Sequence, residues 1–533
     1  FMSRRIFKNL IDLISGTLLS RIMGFLRELV TASYFGTGKA MDLFVIAFTI
    51  PTFFRRFLGE DVVERAFMPP FKRLISQEKY PDAWSLLSAC FNFMLFALVF
   101  FMIVLYYFAE PLVRFLAPGL NESLVPTAMN MTYWILPFML IIGMAAFVGG
   151  MLNFFEMNKI YSMAPAMLSV GIILGIVIFK PIMEQRGVHG MYALPAGFLL
   201  GALLEFGVQI PFVLQRKIRV TTKARYSFKL NVLKEPEIKN VGRESSFITF
   251  KSLVDKSVEI IDRRLASFLI SGSISALWFA QRLIQLPVAI IGLSISRAIV
   301  PYLTERKALT AETDFIQGIK LGIRLNFYFM LPTMMIIILL NQPIINIVYR
   351  RGAFDAESAL LTSVAFWCYA LGLLGLGLDT FFSQIFSIFQ KNKIPFYTSI
   401  AAAALNISLK FILVKTPLKH GGIALASSIA YTLYAILLFY FLKKELAQQI
   451  NYKYLWRQFY PVATACVIIG LGVYVFYNSL LVPLVEPLVS SIFLKSLLYL
   501  LVIVGLSLAC FLVYIKLWGP EDIKRRLRLV RRK

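Results

Sequence analysis

The sequence predicts an all-α polytopic membrane protein of about fourteen transmembrane helices, arranged as two parallel six-helix repeats with two extra helices at the C-terminal end. Three observations predict it. Of 533 residues, 58% are hydrophobic and 16% charged, a composition that a water-soluble globule does not sustain. About fourteen stretches approach the roughly 20 apolar residues that cross a bilayer, once polar interruptions are allowed. Finally, sliding the chain by about 236 residues brings Arg27 onto Arg263, Gly36 onto Gly272, Ala40 onto Ala276 and Pro51 onto Pro287. Slightly shorter offsets bring Asn158-Lys159-Ile160 onto Asn392-Lys393-Ile394 and, a few residues shorter again, His189-Gly190 onto His420-Gly421.

The predicted spans lie at about 9–34, 40–59, 82–108, 125–154, 160–180, 190–215, 246–271, 273–300, 315–340, 357–388, 394–415, 420–442, 457–479 and 490–517. They divide the chain into a first lobe (1–215, spans 1 to 6), a basic linker (216–245), a second lobe (246–445, spans 7 to 12), spans 13 and 14 (446–518) and a basic tail (519–533). Six is an even number, so both lobes enter the membrane from the same side. The repeat is therefore parallel, with a pseudo-two-fold axis along the membrane normal, a transporter plan that puts the substrate between halves.

The net charge of +26 sits on one side of the predicted membrane. Lys and Arg crowd the N-terminus, the stretch Arg65 to Lys79, the linker, Lys443-Lys444 and the C-terminal tail, whereas the opposite loops hold few, such as Lys39, Arg114, Arg186 and Lys419. This asymmetry places both termini in the cytoplasm and assigns the charge to lipid headgroups rather than to nucleic acid. Asp61 to Lys79 mixes charges with Phe67, Met68, Phe71 and Leu74 and reads as a short interfacial amphipathic helix. The first apolar stretch carries Arg21, Arg27 and Glu28 without a small-residue cleavage site, so it reads as a retained span, and Phe1 ahead of Met2 as a cloning remnant.

Charges inside spans carry the functional signal, because each costs roughly 2.5 to 3.5 kcal/mol on insertion scales and is kept where it lines a cavity or a pathway. Span 1 holds Arg21, Arg27 and Glu28; span 2 holds Asp42 and ends in Arg55-Arg56 with Glu60 nearby; span 8 holds Arg282 and Arg297. On span 7, Lys251, Asp255, Glu259 and Asp262 recur at helical spacing and form a stripe that cannot face lipid. Arginine stays protonated and offers a planar fork to phosphate oxygens. A cavity bringing together Arg21, Arg27, Arg55 and Arg282 would suit an anionic substrate. The alternative is structural pairing with Glu28, Asp42, Glu60 and Asp262, or snorkelling to the interface. Positive charge exceeds negative in spans 1, 2 and 8 together, so pairing does not absorb all of it.

Enzymatic chemistry finds little support. The four cysteines lie inside predicted spans without metal-ligand spacing, the two histidines (His189 and His420) sit beside Gly at loop ends, and no phosphate-cradling Gly-rich loop is present. No catalytic residue, metal or cofactor is expected. Energy would come from the membrane potential, a proton or sodium gradient, or the substrate's own gradient.

Ser20-Arg21-Ile22-Met23-Gly24-Phe25-Leu26-Arg27-Glu28, Phe35-Gly36, Asp42, Pro51, Phe54-Arg55-Arg56, Glu60 and Ala66-Phe67-Met68-Pro69 together resemble the MurJ (MviN) lipid II flippases of the multidrug/oligosaccharidyl-lipid/polysaccharide exporter superfamily. The likeness continues through Ser271-Gly272-Ser273, Arg282, Tyr349-Arg350-Arg351-Gly352-Ala353-Phe354 and Pro417-Leu418-Lys419-His420-Gly421. The resemblance implies two lobes around a V-shaped central cavity and alternating access. The cargo would be an undecaprenyl-pyrophosphate-linked peptidoglycan precursor carried from the inner to the outer leaflet of the bacterial cytoplasmic membrane. It further implies diphosphate ligands at Arg21, Arg27, Arg55 and Arg282, gating or organising residues at Ser20, Glu28, Asp42 and Glu60, and a lipid-tail groove on the last two spans. Lipid II and membrane lipids are the expected partners of a monomer, with other cell-wall synthesis proteins as candidates.

Two departures from the family pattern stand out. Glu60-Asp61-Val62 replaces the usual Glu-Gly-Ala, which removes a flexible Gly from the gating loop. Some relatives bind sodium with an acid matching Asp262, an Asn matching Asn406 and a second acid; here Lys410 stands where the second acid would be. The expectation is that the Lys410 ammonium pairs with Asp262 in place of sodium, the alternative being a Lys410 that snorkels. The competing functional readings are a cation-coupled exporter of amphipathic drugs, a flippase for another polyprenyl-linked saccharide, and a non-transporting scaffold for envelope synthesis.

Overall fold

The computed structural model describes residues 4–55, 67–213, 236–309, 312–446 and 449–518, with side chains left aside at 4–14, 50, 53–55, 69 and 236–249. Among them all regular structure is helical, as expected. The helices are α1 (Arg4–Phe35), α2 (Lys39–Arg55), α3 (Met68–Ser76), α4 (Tyr80–Tyr107), α5 (Ala109–Leu116), α6 (Val125–Phe154), α7 (Asn158–Leu174), α8 (Lys180–Gln185), α9 (Ala193–Val213) and α10 (Pro236–Ala266). They continue with α11 (Ser273–Pro287), α12 (Leu293–Ala308), α13 (Glu312–Val348), α14 (Ala356–Ala370), α15 (Leu373–Ile388), α16 (Lys393–Leu413), α17 (His420–Glu445), α18 (Tyr452–Phe476), α19 (Val482–Leu488) and α20 (Ile492–Trp518).

Ten helices among the described residues are long and apolar enough to cross a membrane, and eleven if the bent pair α14–α15 counts as one. The expected fourteen include three more, α1, α2 and α10, which occupy the predicted positions of spans 1, 2 and 7. α1 and α10 carry ionisable residues through their lengths, and α2 is described for 17 residues, as far as Arg55. Other boundaries differ for physical reasons. α10 begins at Pro236, inside the stretch expected to be linker; proline at the first helical position is pre-organised for a helix start. Span 10 is two helices bent by 50°. The Ser428 hydroxyl donates to the Cys368 carbonyl at 2.7 Å and reaches the Tyr369 carbonyl at 3.2 Å, satisfying acceptors beside the break. α13 kinks at Leu340, three residues before Pro343. α3 falls where an interfacial helix was expected, yet Phe67 and Phe71 pack against Phe147, Phe154 and Trp84, so its apolar face meets protein rather than lipid. The part of that segment from Asp61 to Ala66 lies outside the described residues.

The chain forms two compact units, residues 1–275 with 351–354, and 276–350 with 355–533. α10 thus packs with the first unit, although the repeat sets it at the head of the second lobe. The repeat itself leaves a backbone signature. Gly36 and Gly272 both adopt positive φ, as do Glu156 and Gln390, each two residues ahead of the matching Asn158 and Asn392.

In the first unit α2 is central. Every residue from Met41 to Thr49 is buried, with Phe44 and Phe48 stacked on Phe198 of α9 at ring distances of 5.1 and 4.7 Å. α7 and α9 approach backbone to backbone where Gly171 meets Gly201 and Gly175 meets Gly197, the small-residue packing of membrane helices. In the second unit α13 is the hub, packed by α12, α14, α15, α18 and α20. Phe381, Phe382, Phe386, Leu438, Phe439 and Leu442 close its core with α15 and α17.

Candidate functional site

In the first unit the charges of α1 and α2 take three different forms. Arg27 donates from Nη2 to Glu28 Oε1 at 2.6 Å, with both side chains largely buried. Adjacent helical residues ordinarily diverge, so this pair is a local brace that fixes the guanidinium rather than a generic surface bridge. Arg21, one turn and a half earlier, is exposed among exposed Leu18, Ile22 and Leu26, and Ser20 is half-buried beside it. The same stretch of α1 thus offers a guanidinium and apolar surface together. Gly24 meets nothing within 4 Å of where a Cβ would stand, so the helix is thin between the two arginines.

Asp42 is buried in the first turn of α2 and accepts three hydrogen bonds. They come from Gly272 N–H at 2.6 Å, Ser275 N–H at 2.8 Å and the Ser275 hydroxyl at 2.7 Å. The donors belong to the N-terminus of α11, whose first N–H groups lack intrahelical acceptors, so a residue some 230 positions away supplies the cap. Buried Arg263 adds a positive charge near the same carboxylate. Close by in sequence, Gly36 and Gly352 form a reciprocal clasp. Ala353 N–H donates to the Ser33 carbonyl at 2.7 Å, and a Cβ on Gly36 would collide with the Ala353 carbonyl, one on Gly352 with the Ser33 carbonyl.

The predicted charged stripe of α10 is partly self-satisfied. Lys251 pairs with Asp255 at 3.2 Å and Lys256 with Glu259 at 2.7 Å, while Asp262 and Arg263 at the far end are buried. Arg264 donates to the Phe115 carbonyl at 2.7 Å and lies 5.0 Å from the Phe115 ring, tying α10 to α5. The Arg55 side chain, Arg56 and Glu60 lie outside the described residues.

In the second unit the Arg282 guanidinium lies over the ring of Trp278, one turn earlier on α11, 4.3 Å from its centroid. Asn406 and Lys410 lie one turn apart on α16, both buried, Lys410 completely. Asp262 belongs to the first unit, so each is placed within its own body. Of the two histidines, His189 is exposed and precedes a single helical turn, and His420 is buried with Nε2 2.8 Å from the Leu361 carbonyl.

Sequence reasoning missed one feature. α12, α13 and α20 line a cavity of about 1010 Å³ that is apolar along Tyr328, Ile336, Leu508 and Phe511 and carries Lys320 and Arg324 at one end. The signal was present: Lys320 and Arg324 are four apart within predicted span 9 and therefore share a face. α20 lines this cavity and α18 does not.

Comparison with known proteins agrees with this architecture. The sequence profile of the family described as lipid II flippase MurJ matches residues 31–514. A lipid II flippase MurJ from Burkholderia cenocepacia is 26% identical over 442 residues, covering 83% of this chain and 84% of that protein. Among solved structures, a lipid II flippase MurJ in an inward closed conformation aligns with a TM-score of 0.78 at 22% identity, over 96% of this chain and all of that one. An inward-facing multidrug resistance MATE family transporter aligns with a TM-score of 0.65 at 15% identity, over 82% of this chain and 98% of that one.

Proposed function

The chain belongs to the MurJ family of lipid II flippases, multi-pass transporters of the bacterial membrane, and from that premise we propose how its own residues handle the substrate. The observation that carries the proposal is that arginines are kept, each with a dedicated support, on helices that otherwise serve a membrane. Arg27 is braced by Glu28 at 2.6 Å, and Arg282 is laid on Trp278 at 4.3 Å. Supports of this kind hold a guanidinium, with its five donors, in a fixed place. They suit a ligand with several phosphate oxygens, the diphosphate of a lipid-linked precursor, with Arg21 and Arg55 as further ligands.

The cavity along α12, α13 and α20 takes the polyprenyl tail in this reading, its apolar length matching a hydrocarbon chain and Lys320 and Arg324 meeting polar groups at the end. Both termini are cytoplasmic. Net positive charge carried through the membrane field contributes about 2.3 kcal/mol per charge per 100 mV toward resetting the cycle. Full burial of Lys410 supports a further part of the proposal, that its ammonium stands in for a sodium ion, because a buried ammonium is retained only with a compensating acid.

The test is lipid II translocation by Arg27→Ala and Arg282→Ala variants shown to be folded and inserted, together with rescue of flippase-depleted cells. Removing one guanidinium from a buried, hydrogen-bonded charge pair costs about 2 to 5 kcal/mol, roughly 30-fold or more in affinity. Retention of full activity by both variants would overturn the arginine mechanism.

A further inference from the structure

A second cavity, of about 750 Å³, lies within the second unit on the other side of α13, bounded by α13, α15, α17 and α18. It is separate from the proposed tail cavity and shares no wall with α20. Its interior is apolar, formed by Phe327, Leu331, Leu374, Phe382 and Phe439. The 50° break after Ala370 opens its deep end, at Leu371 and Leu374. Its volume is in the range of built ligand sites.

The two ends differ in chemistry. Phe327 of α13 meets Phe459 of α18, so the α18 lining from Tyr452 to Phe459 and the α13 lining from Phe327 to Met334 follow one another and together span roughly 20 Å at the helical rise. That depth reaches past the middle of a hydrocarbon core about 30 Å thick. At the end formed by the start of α18 stands Lys453, which lines the cavity, with Tyr452 and exposed Trp456. Lys443 lies 4.8 Å from the Tyr452 ring and Lys444 lies 4.5 Å from the Tyr440 ring. The nearest acid along α17, Glu445, is taken by Lys391 at 2.5 Å, and no described acid forms an ion pair with Lys443, Lys444 or Lys453. Trp456 stacks on Tyr460 at 5.8 Å, the aromatic signature of a headgroup-level boundary.

We propose that this cavity binds an acyl chain of an anionic glycerophospholipid, whose phosphate meets Lys453 and Lys443 while one chain enters between α13, α15, α17 and α18. Charge complementarity selects the occupant. An apolar slot of this length takes a lipid chain, and a mouth of ammonium groups prefers an anionic headgroup to a zwitterionic one. The site is distinct from the transport path, so it acts as a fixed lipid site.

The test uses the full chain in nanodiscs of phosphatidylcholine mixed with phosphatidylglycerol, with retained lipid read by native mass spectrometry. A second readout is quenching by brominated-chain phosphatidylglycerol, taken as the difference between the wild type and Trp456→Phe. The wild type is expected to retain phosphatidylglycerol over phosphatidylcholine and to show quenching assigned to Trp456. Lys453→Gln, an exposed substitution that leaves packing intact, lowers that preference about fivefold, and Lys443→Gln lowers it further by a similar factor. Ile436→Trp, which fills the cavity from its rim, abolishes retention, and Lys453→Gln added to it has no further effect. Equal retention of the two lipids, an unchanged preference in Lys453→Gln, or recovery of a polyprenyl lipid rather than a glycerophospholipid from this site would each overturn the proposal.

Discussion

Replacing Asp42 by Ala removes the acceptor of three hydrogen bonds at once. Two of the donors, Gly272 N–H and Ser275 N–H, sit at the start of α11 where no intrahelical carbonyl can take them, and both residues are buried. An orphaned buried donor costs about 1 to 3 kcal/mol, so the two together cost roughly 2 to 6 kcal/mol. The Ser275 hydroxyl adds little, because the Gly272 carbonyl remains available at 3.2 Å. Asp42→Asn keeps one acceptor oxygen and turns an amide NH₂ toward the other donor, which gives an intermediate loss of about 1 to 3 kcal/mol. Equilibrium unfolding in mixed micelles, titrated with a denaturing detergent, reads these differences. The expected order of stability is wild type, then Asp42→Asn, then Asp42→Ala. A double-mutant cycle with Ser275→Ala isolates the hydroxyl's share. An Asp42→Ala variant within about 0.5 kcal/mol of wild type, the scatter of an ordinary surface substitution, would refute the capping argument.

Gly36→Ala and Gly352→Ala each place a Cβ at positive φ, at a cost of about 1 to 2 kcal/mol before the collision with a facing carbonyl is counted. They break the same clasp, so the double variant should lose less than the sum in the same titration. Asp355 caps α14 by accepting from Ser358 N–H at 2.8 Å, and that bond holds its carboxyl below the usual aspartate range. Asp355→Ala should therefore cost about 1 kcal/mol at neutral pH. Because the folded-state value is the depressed one, the contribution is full above the unfolded value and lost as pH falls through the folded one. The gap between wild type and variant should close below about pH 4. Transport in proteoliposomes should be insensitive to exchanging a sodium for a potassium gradient, and Lys410→Met should lose about 3 to 5 kcal/mol of stability by stranding a buried acid. A steep rise with sodium would remove Lys410 from the proposed role.

The helices whose apolar runs are long and uninterrupted, α4, α6 and α17 among them, were legible because burial in lipid and in protein ask for the same residues. Departures came where a distant partner decides the geometry. The local signal in Phe366 to Leu376 is Gly372, which sits at the 50° break where Ser428 of another helix approaches, and it is that distant hydroxyl that takes up the carbonyls beside the break. Asp42 could be recognised as an anomalous acid, but its cap on α11 depends on packing across 230 residues of sequence. The start of α10 at Pro236 was readable, because a proline ahead of a polar helical run is a start signal; the surrounding basic residues obscured it. The repeat made more visible than it first promised. The paired left-handed residues Glu156 and Gln390 are polar side chains whose conformation no propensity scale predicts, yet both sit two residues before matching asparagines.

Most of the residues nominated for function in the first half and at the head of the second lie on helices that hold ionisable residues among apolar ones: Arg21, Arg27 and Glu28 on α1, Asp42 on α2, Asp262 on α10. Their retention has a physical cause. A charge in a span costs roughly 2.5 to 3.5 kcal/mol at insertion, and three on one helix outweigh the gain from many apolar neighbours. Such helices persist only if the folded protein supplies a wet or charged surface for them, as Glu28 does for Arg27 and the α11 terminus does for Asp42. The same reasoning separates Arg282 from them. It rides on a helix that still qualifies as a span, because a single guanidinium lying on Trp278 is shielded by an aromatic face and leaves the rest of α11 free to be apolar. The charges nominated for binding or gating are the ones that the bilayer resists, so Arg27 and Asp42 are each held by a fixed partner in the fold.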